Sequence, residues 1–329
     1  MCTPILTIVA ILVCAAQSSA VAQQLNQVLT WLPDDTETVL GANGPFPWED
    51  PRALLSAAPP NERVAAELDM QFRMLPFMLL IFKNGGLSEF VKGKTVSLAI
   101  EGSRRFRPPQ SLGDMRYEGC LIVIFGPEVS LDGAAFMQVA ANSAVRFEEA
   151  AGTKVAVFEE KSQQDTWTTF VGFPRTNMAV VATNLGYLTT LLDRMKSPQP
   201  TRALPQDLPE WKHVDTAAPV WGIRHYRKQG AELDPTSPLQ GKNAANVPDK
   251  DAVGVTFSFG RAADPTAIVD YLSANPDARR ILSAYLVEEG AATAVPRELQ
   301  MRLRQPAAGV LKASISLPPA KPLGDYCSE

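Results

Sequence analysis

The chain is expected to fold as an α+β protein made of two tandem ββαββ-like repeats, with antiparallel sheets and helices packed on one face. Three observations lead there. First, two distant segments read alike. In one, residues 121–126 (Leu-Ile-Val-Ile-Phe-Gly) precede Ser130, Asp132 and a helical pattern over 134–141 that closes on Asn142. In the other, residues 254–260 (Gly-Val-Thr-Phe-Ser-Phe-Gly) precede Asp264, Pro265 and a helical stretch over 266–274 that closes on Asn275. Ser130, Asp132 and Asp264 are residue types that cap helix N-termini, and Pro265 suits a first helical position. Second, β-branched apolar runs flank both segments at 94–100, 117–125, 144–149 and 154–159, and again at 220–227, 253–259, 299–304 and 310–317. Third, the stretch 197–219 carries Pro198, Pro200, Pro205, Pro209 and Pro219, which favour an extended connection between the copies.

Taken in order, residues 1–22 read as a secretory signal peptide. An apolar run over 5–16 is followed by Ala20-Val21-Ala22, a small-residue cleavage pattern that leaves Gln23 at the mature N-terminus. Its opening lacks Lys and Arg, and the first basic side chain is Arg52. A lipoprotein reading would use Cys14, but branched Val13 stands where the lipoprotein peptidase needs a small residue. Residues 23–196 form the N-terminal half, with a long amphipathic helix over 61–83 capped by Asn61 and closed by Gly85-Gly86. That half continues through the first repeat to a hairpin over 166–173 and 178–183 and a helix over 185–195. Residues 197–219 are the Pro-rich linker, and 220–329 form the C-terminal half with the second repeat. A cleft between the two copies is the natural place for a site.

Composition narrows the function classes. Apolar residues make up 46% of the chain and charged ones 20%, enough for a sizeable core. The net charge of −4 leaves no electrostatic footprint for nucleic acid. Past the signal, no apolar run reaches membrane-spanning length. Loss of the signal leaves Cys120 and Cys327, which could pair as a disulfide in an oxidising compartment; the simpler arrangement is a buried Cys120 and a loose Cys327.

Chemistry-bearing residues are few. Met70, Met74 and Met78 recur on one helical face, a pattern that soft Cu(I) can use, but the interleaved Leu75, Phe77, Leu79 and Leu80 favour core packing. Pro76 kinks that helix, and the run 77–82 could face a partner or a membrane surface. The chain has two histidines. His225 shares a strand face with Arg227 and is the candidate general base, with His213 read as surface. Two separated histidines and two separated cysteines match no zinc spacing, so neither metal nor cofactor is expected. Asp34, Asp35 and Glu37 lack the glycine and spacing of a calcium loop. The pairs Glu148–Glu149, Glu159–Glu160 and Glu288–Glu289 point to opposite faces of a strand and are not paired acids. Arg104, Arg105 and Arg107 make a basic turn open to solvent or an anionic partner. Phosphate-binding glycine patterns and the G-x-S-x-G nucleophile elbow are missing from the sequence.

Three passages carry a resemblance: Leu32-Pro-Asp-Asp-Thr-Glu-Thr-Val39 with Asn43-Gly-Pro-Phe46; Ala179-Val-Val-Ala-Thr-Asn184 leading to Tyr187-Leu188; and Ala218-Pro-Val-Trp-Gly-Ile-Arg-His-Tyr226. Together they resemble uncharacterised exported proteins of environmental bacteria that open with an LPxDT phrase. The resemblance implies export and carries no activity or site residues. The expectation is an exported protein, periplasmic or extracellular, that binds or scaffolds an envelope component or another macromolecule. The alternative is a hydrolase or small-ligand enzyme with His225 and Arg227 in the cleft. Purification of the exported protein and N-terminal sequencing should return Gln23-Gln24-Leu25; a chain that still begins at Met1 would overturn the export reading.

Overall fold

The computed structural model describes residues 23–47, 87, 90–105, 117–161, 166–197, 201–226, 252–259, 266–277 and 300–316. The expected signal over 1–22, the helix over 61–83 with its methionines and the run 77–82, and Arg107, Arg227, Glu288, Glu289 and Cys327 lie outside the described residues. A helix through 23–31 (α1) leads into β1 (Thr38–Pro47). Then come β2 (Thr95–Arg105), β3 (Tyr117–Phe125) and helix α2 (Gly133–Ala140). Strands β4 (Arg146–Ala150), β5 (Thr153–Lys161), β6 (Thr166–Arg175) and β7 (Met178–Ala182) precede helix α3 (Leu185–Lys196). A short 3-10 turn (Pro209–Lys212) leads to β8 (Val220–His225), β9 (Ala252–Phe259), β10 (Thr266–Ser273), β11 (Gln300–Ala307) and β12 (Val310–Ser316).

Among the described residues the protein is mainly β rather than α+β. Twelve strands form one sheet in the order β11-β12-β10-β9-β8-β1-β2-β3-β7-β6-β5-β4, antiparallel at every pairing. The two expected ββαββ units are therefore not equivalent. In the first, Asp132 caps α2 as its sequence suggests, accepting from the N–H groups of Ala134 and Ala135. In the second, residues 266–273 are the strand β10, paired to β9 on one side and β12 on the other. The composition explains the difference. Helix α2 is Gly-Ala-Ala-Phe-Met-Gln-Val-Ala, rich in helix formers, whereas β10 holds Thr266, Ile268, Val269 and Tyr271, which favour strand. A proline and an aspartate ahead of such a run do not outweigh two sets of ladder hydrogen bonds.

Helices also lie on both faces instead of one. On the first face, Leu25, Val28, Leu29 and Leu32 from around α1 and Tyr187, Leu188, Leu191 and Leu192 of α3 cover Val39, Ile100, Ile122, Val180, Trp221 and Ile223. On the second, Phe136 and Ala140 of α2 pack with Phe46, Leu121, Val123, Phe125 and Val181. Strand β7 is buried along its whole length because both faces are covered, which is why its sequence, Met-Ala-Val-Val-Ala, does not alternate. The Pro-rich stretch packs onto the first face: Ala203, Leu204 and Ala218 belong to its core, and the Ala203 N–H donates to the Leu29 carbonyl at 2.9 Å.

Strand β1 joins the earlier strands to the later ones, pairing Gly41 with Ile100 of β2 and with Trp221 of β8. The Trp221 ring is fully buried and lies where a Cβ at position 41 would be. Gly41→Ala should therefore cost about 1–3 kcal/mol by overpacking. Urea unfolding followed by tryptophan fluorescence measures it, and an unchanged midpoint would rule out the close approach.

Candidate functional site

The functional candidates converge on the first face of the sheet, over strands β8, β9, β10 and β12. The register sets the layout. Ile223, Thr256, Asp270 and Lys312 are successive cross-strand partners, so their side chains form one row; Arg304 of β11 continues it. Two residues along, His225, Gly254, Leu272 and Val310 form the next row on the same face. The stretch 209–214 packs over both rows, led by Glu210 and Trp211.

Glu210 is the residue that the sequence did not nominate. Its side chain has no solvent exposure, and Oε1 lies 2.7 Å from His225 Nδ1. A carboxylate oxygen at that distance can accept a hydrogen bond from an Nδ1–H, which fixes the imidazole orientation. The carboxylate reaches the sheet because position 254 is glycine: a Cβ there would overlap Glu210 Oε1. Glu210 is also held through its backbone, with its carbonyl accepting from the His213 N–H at 2.9 Å. Its second oxygen, Oε2, is buried with no hydrogen-bond partner.

Asp270 stands mid-strand, fully buried, with Lys312 Nζ at 3.3 Å from Oδ2. Neither carboxylate oxygen has a hydrogen bond that satisfies it, and the Thr256 hydroxyl across the ladder is buried and unpartnered as well. Burial pushes the Asp270 carboxyl up from its ordinary value; Lys312, and His213 at longer range, offset part of that rise. His213 is accordingly half-buried beside this cluster rather than a surface residue. Buried acceptors of this kind are costly unless something donates to them.

The other sequence candidates are occupied elsewhere. Asp34 pairs with Arg194 Nη1 at 2.7 Å, and Asp35 pairs with Arg104, so the acidic opening ties down the loop before β1. Arg104 also bonds Glu118 Oε2 at 2.8 Å, which takes it out of the open basic turn. Arg146 bridges Glu148 at 2.7 Å and Glu159 at 2.6 Å on the outer strands. Cys120 is a fully buried free thiol whose pKa is raised mainly by burial. Among the described residues, no cluster of three His, Cys, Asp or Glu side chains could hold a metal ion, and no helix is long and apolar enough to cross a membrane.

No family model, curated protein or solved structure matches the chain.

Asp270 makes a pH prediction whose sign follows from burial. A carboxyl raised above 3.8 in the folded state binds its proton more tightly there than in the unfolded chain. Its stabilising contribution is complete below 3.8 and is lost as pH rises through the folded pKa. Asp270→Asn should thus gain stability relative to the unmodified protein between roughly pH 4 and pH 7, read from urea midpoints across that range. A difference independent of pH would remove Asp270 from the account.

Proposed function

We propose that this chain is an exported, non-enzymatic binding protein whose recognition site is the covered polar patch of Glu210, His225, Thr256, Asp270 and Lys312. One observation carries the reading: three carboxylate oxygens, on Glu210 and Asp270, are shut away from solvent without a hydrogen bond to satisfy them. Such groups cost several kcal/mol unless they are paired, so a ligand that donates to them gains what the free protein lacks. The patch lies on strands of one continuous twelve-stranded sheet, a stiff support for it. The signal-like opening supports a ligand met in the periplasm or outside the cell.

A second reading rests on the His225–Glu210 contact. A histidine oriented by a buried carboxylate is also the base-and-orienter pair of many hydrolases. Thermal-shift measurements with amines, sugars, amino acids and dicarboxylates test the first reading. A donor-bearing class should raise Tm by a few degrees at saturating concentration, and the rise should vanish in the Glu210→Gln, Asp270→Asn double variant. No shift in any class, or one that survives the double variant, would sink it. Ester or amide turnover lost in His225→Gln would replace it with the hydrolase reading.

A further inference from the structure

We infer that β4, at the far end of the sheet from the polar patch, pairs with β4 of a second copy of this chain across a two-fold axis through Phe147. Among the described residues β4 has β5 on one side and no strand on the other. Its turn sets which backbone groups face outward. Ala151 and Gly152 both have positive φ, 48° and 68°, as in the two-residue hairpin turn whose flanking residues exchange backbone hydrogen bonds. Those flanking residues are Ala150 and Thr153. Bonded and non-bonded pairs alternate along an antiparallel ladder. Arg146 and Glu148 therefore bond to β5, while the N–H and C=O groups of Phe147 and Glu149 point to the open side. Val145 donates inward to the Val157 carbonyl at 2.8 Å, so the open segment starts at Arg146.

The apolar surface of the protein gathers at the same edge. Among the described residues the exposed large apolar side chains are Val139, Val145 and Phe147, a run that ends on β4. Val139 belongs to α2, which lies against β5, and Phe147 shares its sheet face with the core residue Ala156. The opposite edge is defended. Strand β11 carries exposed Arg304, a bulge between Arg304 and Ala307, and Pro306, which has no N–H to donate.

Charge complementarity selects the occupant and the register. Two identical antiparallel strands related by a two-fold axis must pair about one residue that faces its own copy. Centred on Arg146, arginine meets arginine; centred on Glu148 or Glu149, glutamate meets glutamate. Like charges directly opposed destabilise a ladder. Centred on Phe147, the two rings meet, and each Phe147 exchanges both N–H···O bonds with the other. Arg146 then faces the partner's Glu148, and the same pair recurs on the other side of the axis. Arg146 is already oriented at the edge by Glu148 at 2.7 Å and Glu159 at 2.6 Å in its own chain, which lowers the cost of ordering it on contact. A five-residue strand on each side is a small interface, so the dimer is weak, with Kd on the order of 10–100 µM.

Sedimentation velocity of the mature full chain from about 1 µM to about 500 µM tests this, and the dimer should grow in with concentration. Arg146→Glu should weaken it about tenfold or more. Adding Glu148→Arg to that variant should restore it, because the swap keeps each arginine opposite a glutamate. Phe147→Asp should leave only monomer over the same range, with circular dichroism confirming the fold. A monomer at every concentration of the unmodified protein would overturn the inference without relying on any variant. A dimer indifferent to both Phe147→Asp and Arg146→Glu would place the interface elsewhere and overturn it as well. Assembly into an open series beyond the dimer would do the same, since a two-fold contact closes on itself. None of these outcomes bears on the polar patch of β8 to β12, whose reading stands or falls by its own ligands.

Discussion

Strand β1 is hydrogen-bonded along both edges, to β2 and to β8, and the sheet is continuous across the chain because of it. The pairing with β8 over Thr38–Ala42 admits a large ring on one side. Gly41 supplies the space, Trp221 fills it, and Val39 and Ile223 extend the same contact by two residues. Asn43 reinforces the junction by donating to the carbonyls of Thr216 and Ala218 at 2.8 and 2.7 Å. Those bonds hold the Pro-rich stretch against the sheet, although its prolines would keep an isolated peptide extended.

The polar patch inherits its geometry from that junction. With β8 fixed beside β1, His225 is placed at the end of β8 and faces the turn that carries Glu210. The Asp215 N–H donates to the Ser258 hydroxyl at 2.9 Å, which locks the covering stretch onto β9 one row away from Thr256. Burial strips water from Glu210 and Asp270, leaving Glu210 Oε2 without a hydrogen bond and Asp270 facing the Lys312 ammonium at 3.3 Å. Other buried polar groups among the described residues, such as Arg194 and Tyr187, are satisfied. Arg194 is nearly buried yet bonded to Asp34 and to the Thr30 and Thr201 carbonyls, and the Tyr187 hydroxyl meets that of Thr36 at 2.7 Å. Among the described residues, the C-terminal patch gathers the buried carboxylate oxygens without a hydrogen bond.

Much of the secondary structure was legible because it depends on neighbours in sequence. The hairpin of β6 and β7, the cap at Asp132 and the helix over 185–195 follow from short apolar runs, turn residues and helical periodicity, and the structure adds Asn184 as the cap that accepts from the Tyr187 N–H. The strand β10 was misread because a local cap signal, Asp264-Pro265, points to a helix while the partners that make it a strand lie on β9 and β12. That error also hid Asp270. In the strand, between Val269 and Tyr271, it is a carboxylate inside the core. Glu210 left no sequence signal, since its partners His225 and Gly254 are brought to it by packing.

The sequence by itself determined the composition-level limits, the export-like opening, the apolar runs that become strands and the scarcity of histidine and cysteine. These are local or additive properties, set by side-chain volume, branching and charge. The tertiary structure alone decided that the strands form one sheet, that residues 266–273 extend rather than coil, and that His225 meets Glu210. Those outcomes depend on pairing and burial between residues far apart in the chain, whose free energy appears only when both partners are in place.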